Sequence, residues 1–335
     1  MLYAYTMPTD TVTDPAPATL ETIQAAQKRI AGVAYRTPLV RLPLEGEVYA
    51  KAESLQRTNS FKFRGAYNFV ASLPDEVRER GVTAPSSGNH AQGLACAAHL
   101  FGVPAAIAIP KGAPETKVER TRAWGAEVVR CGGSTAERQA AAQHFVIERG
   151  YTFVPPFDHP WIIAGQGTVG LEIAEDLPDV ANVLVCTGGG GLLSGISTAL
   201  KRFCPNAQII GVEPELAADA AESFEKGEVV TWDAAETTRT VADGVRTQAL
   251  GKHTFPLIKK NVDAFVTVSE EAIRTATGWY LREAKLVAEP TGALTLAAYR
   301  KLQAGEADGL TLKPGKTVLL VSGGNVDPQK LVGFL

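Results

Sequence analysis

Val183-Leu184-Val185-Cys186-Thr187-Gly188-Gly189-Gly190-Gly191-Leu192 joins an apolar β-branched run, four successive glycines and the start of a helical pattern. The run reads as a buried strand, because it is continuously apolar rather than alternating. Glycines let backbone N–H groups converge, and a helix N-terminus adds partial positive charge, so the preferred guest is a phosphate. A tight strand-to-helix turn with no ligand is the alternative. Four glycines exceed what a turn needs, however, and they carry an entropic penalty. The spacing is neither GxxxxGK[ST] nor GxGxxG, so it matches neither the nucleoside triphosphate loop nor the dinucleotide fingerprint.

The same strand–loop–helix order recurs on both sides of this stretch. Strands are expected over 48–52, 81–84, 105–109, 126–130, 151–154, 182–186, 208–212, 264–268 and 316–321. Helices are expected between them, over 19–30, 65–71, 91–101, 115–124, 135–149, 165–177, 192–203, 269–283 and 291–303. Such alternation implies α/β architecture, with open, mostly parallel twisted sheets flanked by helices. Pro155-Pro156-Phe157-Asp158-His159-Pro160 separates two such series. Ligands of these sheets bind beyond the carboxyl ends of the strands, which is where the chemistry-bearing stretches of this chain fall.

A chain of 335 residues suggests two domains of about 150 residues each. With 45% hydrophobic and 21% charged residues the composition is ordinary for a globular protein. A net charge of −3 gives no electrostatic case for nucleic acid or an anionic membrane. No apolar run is long enough to span a bilayer. Residues 1–18, with Pro8, Pro15 and Pro17, lack the blocks of a signal peptide and read as a loose arm. Cys96, Cys131, Cys186 and Cys204 form no CxxC pair and fit no zinc spacing, which points to reduced thiols and a cytoplasmic protein.

Thr58-Asn59-Ser60-Phe61-Lys62-Phe63-Arg64-Gly65-Ala66 sets an ammonium between two phenylalanines. Desolvation lowers a lysine's pKa, and a neutral amine can form a Schiff base with a carbonyl. A lysine snorkelling to water along the aromatic surface is the alternative. Ser86-Ser87-Gly88-Asn89-His90 opens a helix and could cradle a carboxylate, or Ser86 or Ser87 could simply cap it. Ser322 ends the last strand, where its hydroxyl could reach a ring nitrogen. Glu289 precedes a helix beginning at Pro290 and could serve only its dipole. Glu213 and Asp219, with a turn carbonyl between them, could supply oxygens to Mg²⁺ or Ca²⁺.

Taken together and in order, these stretches resemble the fold-type II pyridoxal-phosphate enzymes, in particular the serine/threonine dehydratase and serine racemase family with its tryptophan synthase β-like fold. The resemblance runs from about Ile23 to Asp327. It implies that Lys62 carries pyridoxal 5′-phosphate, with Phe61, Asn89, Gly244 and Glu289 around the ring and Ser322 at its nitrogen. Gly188, Gly189, Gly190, Gly191 and Leu192 would hold the phosphate. Ser86, Ser87, Asn89, His90 and Arg138 would hold the substrate. It further implies a small inserted domain over 82–157, a large domain from 19–81 and 158–335, and a homodimer.

The implied reaction is the α,β-elimination of a β-hydroxy amino acid such as L-threonine or L-serine to a 2-oxo acid and ammonia. Lys62 would remove the Cα proton as general base. Ser87, standing where many threonine dehydratases carry alanine, could pass a proton from the opposite face. Serine racemase and threo-3-hydroxyaspartate dehydratase are therefore the alternatives, and a catalytically silent pyridoxal-phosphate-binding protein is a remote one. Glu213, Ala217 and Asp219 match the divalent-metal spacing of the racemase-like branch, for Mg²⁺, Ca²⁺ or Mn²⁺. Asn59 departs from the family by standing where glycine is usual.

Overall fold

The structure is a computed structural model and describes residues 15–113 and 115–335. The arm expected over 1–18 lies, up to residue 14, outside the described residues. In chain order the strands are β1 (Leu39–Arg41), β2 (Val48–Ala52), β3 (Val82–Pro85), β4 (Ala105–Pro110) and β5 (Glu127–Cys131). Then come β6 (Thr152–Phe153), β7 (Val180–Cys186), β8 (Gln208–Pro214), β9 (Ala264–Val268) and β10 (Lys316–Val321). Six strands form one sheet, in the order β1-β2-β10-β7-β8-β9, and four form a second, in the order β5-β4-β3-β6. Every neighbouring pair runs parallel except β1 with β2. This is the expected α/β class with two open, mostly parallel sheets.

β7 and β10 pair at the middle of the larger sheet, and apart from the half-buried Ala181 and Lys316 both are buried throughout. Their continuous apolar runs follow from that place, since helices cover both faces of such a sheet. Val183, Leu184, Leu319, Leu193, Ile196 and Leu294 share one core. Each such side chain contributes roughly 1.5–3 kcal/mol by leaving water. A second core lies around the smaller sheet and joins Val82, Leu94 and Ile107 to Phe63 and Phe69 from earlier in the chain. Among the described residues no helix is long and apolar enough to cross a membrane, and the four cysteines are unpaired thiols.

Several boundaries differ from expectation, each for a local reason. The helix expected from 65 begins at Lys62 and runs to Ser72. The helix expected from 165 begins at Pro160, because a first-turn proline loses no helical hydrogen bond and the His159 side chain accepts from Trp161 N at 3.1 Å. At Thr19 the capping box closes although no Glu stands three residues on: Thr22 Oγ1 accepts from Thr19 N at 2.9 Å. The helix expected to reach 283 ends at Trp279 and opens into a π-turn over Tyr280–Ala284. Strand β1 and the helices Asp219–Lys226 and Thr254–Asn261 carry no sequence signal used above.

Candidate active site

A cavity of about 610 Å³ opens beyond the carboxyl ends of β3, β4, β7 and β10. Lys62, at the first turn of its helix, lines this cavity with Phe61. Its Nζ donates to Pro156 O at 2.7 Å and stands 5.2 Å from the centre of the Phe61 ring. Burial of the amine pulls its pKa down to about 8, against a small opposing pull from Cys186. The two flanking phenylalanines diverge. Phe63 enters the core of the smaller sheet, whereas Phe61 packs against that of the larger one.

The backbone ahead of Lys62 is held in an unusual shape. Thr58 and Asn59 have φ of +63° and +57°. Asparagine tolerates that region, which explains how it can replace glycine at 59, but a β-branched threonine is a true outlier there. The loop after β10 locks this shape in place. Phe61 N donates to Ser322 O at 3.1 Å, and Gly324 N donates to Asn59 O at 2.9 Å.

Gly188, Gly189, Gly190, Gly191 and Leu192 form one wall of the cavity. Gly190 has φ +87°, and a Cβ on it would lie 2.7 Å from Ile258 Cδ1. A Cβ on Gly189 would enter the Phe157 ring. Ser194 N donates to Gly190 O at 2.9 Å, so the N–H groups ahead of it belong to the open first turn of the helix Gly191–Phe203. Such a turn suits an anion. The cradle is braced from behind: Thr254 Oγ1 donates to Gly189 O at 2.8 Å, and Asp158 accepts from Lys252 N at 3.0 Å and His253 N at 2.8 Å. Phe157, Asp158 and Thr254 were not singled out in the sequence. The proline-rich run was a signal, but it was read only as punctuation.

Ser86, Ser87, Asn89, His90 and Arg138 all line the cavity. Ser86 Oγ accepts from Gly88 N at 3.3 Å, so local capping is present. The helix Asn89–Phe101 itself starts without a side-chain cap, which leaves first-turn N–H groups open to a carboxylate. The His90 ring is turned aside, with Nε2 2.9 Å from Val154 O. Burial, then the charge of Lys62, lowers its pKa to about 3, so the ring is neutral and donates to that carbonyl. What His90 offers the cavity is its backbone. Arg138 Nε donates to Ser134 O at 3.4 Å.

Gly244, Glu289 and Ser322 complete the wall opposite the smaller sheet. Gly244 N donates to Thr291 Oγ1 at 3.0 Å. Glu289 is 4% exposed and accepts from Asn89 Nδ2 at 2.7 Å. Burial, then Asp243, raises its pKa to about 7. Its side chain makes no cap for the helix Pro290–Gln303. Ser322 Oγ is buried without a hydrogen bond of ordinary geometry. The nearest candidate partner is the weakly polar Cys186 thiol, which burial holds protonated, with a pKa of about 11.

Glu213, Ala217 and Asp219 lie outside this cavity, at the end of β8 and the start of the helix Asp219–Lys226. Glu213 accepts from Ala221 N at 2.7 Å and Ala220 N at 3.3 Å. Both Asp219 carboxylate oxygens are buried without a partner. Burial, then Asp219, pushes Glu213 well above the ordinary carboxylate range, and burial raises Asp219 to about 7. Two buried acids with spare oxygens are a donor set for a hard cation. Among the described residues no group of three or more His, Cys, Asp or Glu side chains could hold a metal.

The sequence profile described as pyridoxal-phosphate dependent enzyme matches residues 30–324. An L-threonine ammonia-lyase of Thermotoga maritima is 45% identical over 314 residues, covering 92% of this chain and 76% of the relative. A serine racemase of Schizosaccharomyces pombe is 40% identical over 322 residues, covering 95% of this chain and 97% of the relative. The solved structure of maize serine racemase superposes with a TM-score of 0.89 at 35% identity, covering 95% of this chain and 96% of that one.

Proposed function

The chain belongs to the pyridoxal-phosphate dependent enzyme family, and on that premise we propose that it is an ammonia-lyase acting on a β-hydroxy amino acid such as L-threonine or L-serine. Its products are a 2-oxo acid and ammonia. The observation that carries this reading is the half-buried Lys62 amine, paired with a backbone carbonyl and not with a carboxylate, in a cavity with an anion cradle on each side.

Three features of the chain fit pyridoxal phosphate. The tetraglycine wall packs so closely on Phe157 and Ile258 that a side chain at Gly189 or Gly190 would clash, Ser322 Oγ is a buried hydroxyl in want of a partner, and Lys62 has a pKa of about 8. Gly188 to Leu192 would hold the phosphate, Phe61, Asn89, Gly244 and Glu289 would surround the ring, and Lys62 would hold the aldehyde carbon. The cofactor supplies an electron sink for charge developing on a substrate carbon.

The chain's own groups do the rest. Ser86, Ser87 and the open N–H groups after Gly88 bind the substrate carboxylate, and Arg138 adds charge from the helix Thr135–Arg149. Lys62 Nζ would take the Cα proton, a role suited to an amine that titrates near working pH. Ser322 would hold the ring nitrogen through a neutral hydroxyl, which, unlike a carboxylate, would not keep a proton there and so would favour loss of the β-hydroxyl. Incubation with L-threonine, L-serine and threo-3-hydroxyaspartate should release ammonia and oxo acid from at least one. No ammonia from any of them would overturn the reading.

Ser87 favours a second reading, because it lines the same cavity and could return a proton to Cα. A racemase would make D-serine alongside pyruvate, and an assay of both from L-serine decides. A divalent cation, Mg²⁺ or its near equivalents Ca²⁺ and Mn²⁺, would bind Glu213, Asp219 and the Ala217 carbonyl. The reading also carries a cytoplasmic homodimer with a small domain over 82–157. Light scattering, fractionation and limited proteolysis test those parts in turn.

A further inference from the structure

We propose that Asn325 is a positioning residue that, backed by Arg120, fixes which edge of the Asn89 amide faces the cavity. The inference rests on the reading of Asn89 as a contact to the 3-hydroxyl of the cofactor ring.

Four side chains and one carbonyl form a chain of hydrogen bonds across the mouth of the site. Arg120 Nη1 donates to Asn325 Oδ1 at 3.1 Å. Asn325 Nδ2 donates to Thr58 O at 2.8 Å and to Asn89 Oδ1 at 2.9 Å. Asn89 Nδ2 donates to Glu289 Oε1 at 2.7 Å. The direction of this chain is set by groups with one role each. A guanidinium only donates and a backbone carbonyl only accepts. An Asn325 flip would aim its NH₂ at Arg120 and its oxygen at Thr58 O, and both contacts would fail. Asn89 must therefore present oxygen to Asn325 and nitrogen to Glu289, which leaves one N–H of its amide for the cavity.

Glu289 alone would not secure this orientation. Its pKa of about 7 means that a proton, and hence a donor, is readily placed there. The Asn325 end has no such freedom. The backbone is shaped for the relay as well. A Cβ on Gly323 would lie 2.5 Å from Glu289 Oε1 and 3.2 Å from Asn89 Nδ2. Thr58, whose carbonyl anchors Asn325, is the residue held at φ +63°. Arg120 is exposed and sits on the helix Glu115–Arg122, so its own grip is the weaker one.

The test uses the full chain freed of cofactor. Dissociation constants for pyridoxal phosphate and 3-deoxypyridoxal phosphate are measured by absorption or fluorescence titration. The intrinsic difference between the two cofactors cancels when variants are compared. Asn89→Ala should cut the preference for the native cofactor about tenfold, the scale of a hydrogen bond to a charged oxygen. Asn325→Ala and Asn325→Asp, neither of which can donate to Asn89, should cut it at least about threefold, and Arg120→Gln by less. Should Asn325→Ala fail to fold, Asn325→Asp, of nearly the same size, carries the comparison. A loss with Asn89→Ala but none with either Asn325 variant would overturn the positioning role and leave the ring contact standing. No loss with Asn89→Ala would overturn the ring contact and the inference with it.

Discussion

Lys62 and Arg64 stand two residues apart in one helix, Lys62 half-buried at the cavity and Arg64 fully buried, and the fold treats the two cations in opposite ways. Arg64 is fully buried and paired on every side. It donates to Glu53 at 2.8 and 2.9 Å and to Glu172 at 2.6 and 2.9 Å. Lys51 joins the group, 2.6 Å from Glu172. Two cations and two carboxylates thus balance one another. Burial pushes the Glu53 carboxyl up, but the charge and hydrogen bonds of Arg64, joined by Lys51 and Thr37, together more than reverse it and leave it below the ordinary carboxylate value. Among the described residues Lys62 has the Pro156 carbonyl and the Phe61 ring but no carboxylate, and its pKa falls to about 8. A cation meant to hold the fold is given counter-charges. A cation meant to react is denied them.

Removing each group should therefore damage a different property. Lys62→Ala should lower ammonia release by about a thousandfold or more, the scale of losing a positioned general base. The same change should leave the cofactor-free protein as stable or more so at pH 7. The sign follows from the lowered pKa: the unfolded state binds more protons between about pH 8 and the ordinary lysine value, so the penalty is complete below 8 and fades as pH rises through that window. Arg64→Met should instead cost about 3–5 kcal/mol in urea unfolding, because it strands buried carboxylates. An Arg64→Met protein of unchanged stability would break the comparison.

Glu213 and Asp219 sharpen it from the opposite side, as two buried acids with no cation between them. Their raised pKa values mean that the folded state holds protons the unfolded state has lost. Stability from this pair is complete below the ordinary carboxylate values and falls as pH rises toward and past about 7. Mg²⁺ should raise the melting temperature more at pH 8 than at pH 5.5. Saturation at a hundred times its dissociation constant would correspond to about 2.7 kcal/mol. Glu213→Gln with Asp219→Asn should raise the metal-free midpoint at pH 8 and abolish the Mg²⁺ effect. A Mg²⁺ response independent of pH would show that these acids are not its site.

The reactivity of Lys62 can also be followed without substrate. At pH 7 a pKa of about 8 leaves roughly a tenth of the amine neutral. Capture of pyridoxal phosphate, followed by the growth of its visible absorption, should quicken about tenfold per pH unit and then level near pH 8. A rise that continues toward pH 10 would mean that Lys62 is as well solvated as a surface lysine.

The α/β class was legible because it is written locally, in apolar runs such as Val183–Cys186 and in the glycines that follow them. The lowered pKa of the Lys62 amine was legible too, although the packing behind it was not. The two phenylalanines do not sandwich it; they enter separate cores and leave the amine in the gap between. Arg64 was not legible as an anchor, because Glu172 lies 108 residues away and no pattern links them. Asn325 was hidden for the same reason, 205 residues from Arg120. The helix starting at Pro160 was masked by the prolines of that run, which a sequence reading takes as a stop, while the folded chain uses Pro160 in the first turn.

The smallest expected effect concerns the backbone that leads into Lys62. Thr58 and Asn59 both sit at positive φ, and the two should respond differently to glycine. Asparagine pays little in that region, and glycine adds freedom to the unfolded chain, so Asn59→Gly should change stability by no more than about 0.5–1 kcal/mol. The β-branched Thr58 is strained by about 1–3 kcal/mol, so Thr58→Gly should gain a small net stability after the entropy of glycine is subtracted. Turnover should move the other way, because the strained turn presents the Thr58 carbonyl to Asn325 and the Asn59 carbonyl to Gly324 N. A Thr58→Gly enzyme that is both more stable and fully active would mean the strain serves neither the lysine nor the loop that holds it. Arg64, three residues into a regular helix and held by four hydrogen bonds to carboxylates, should not register the change at all.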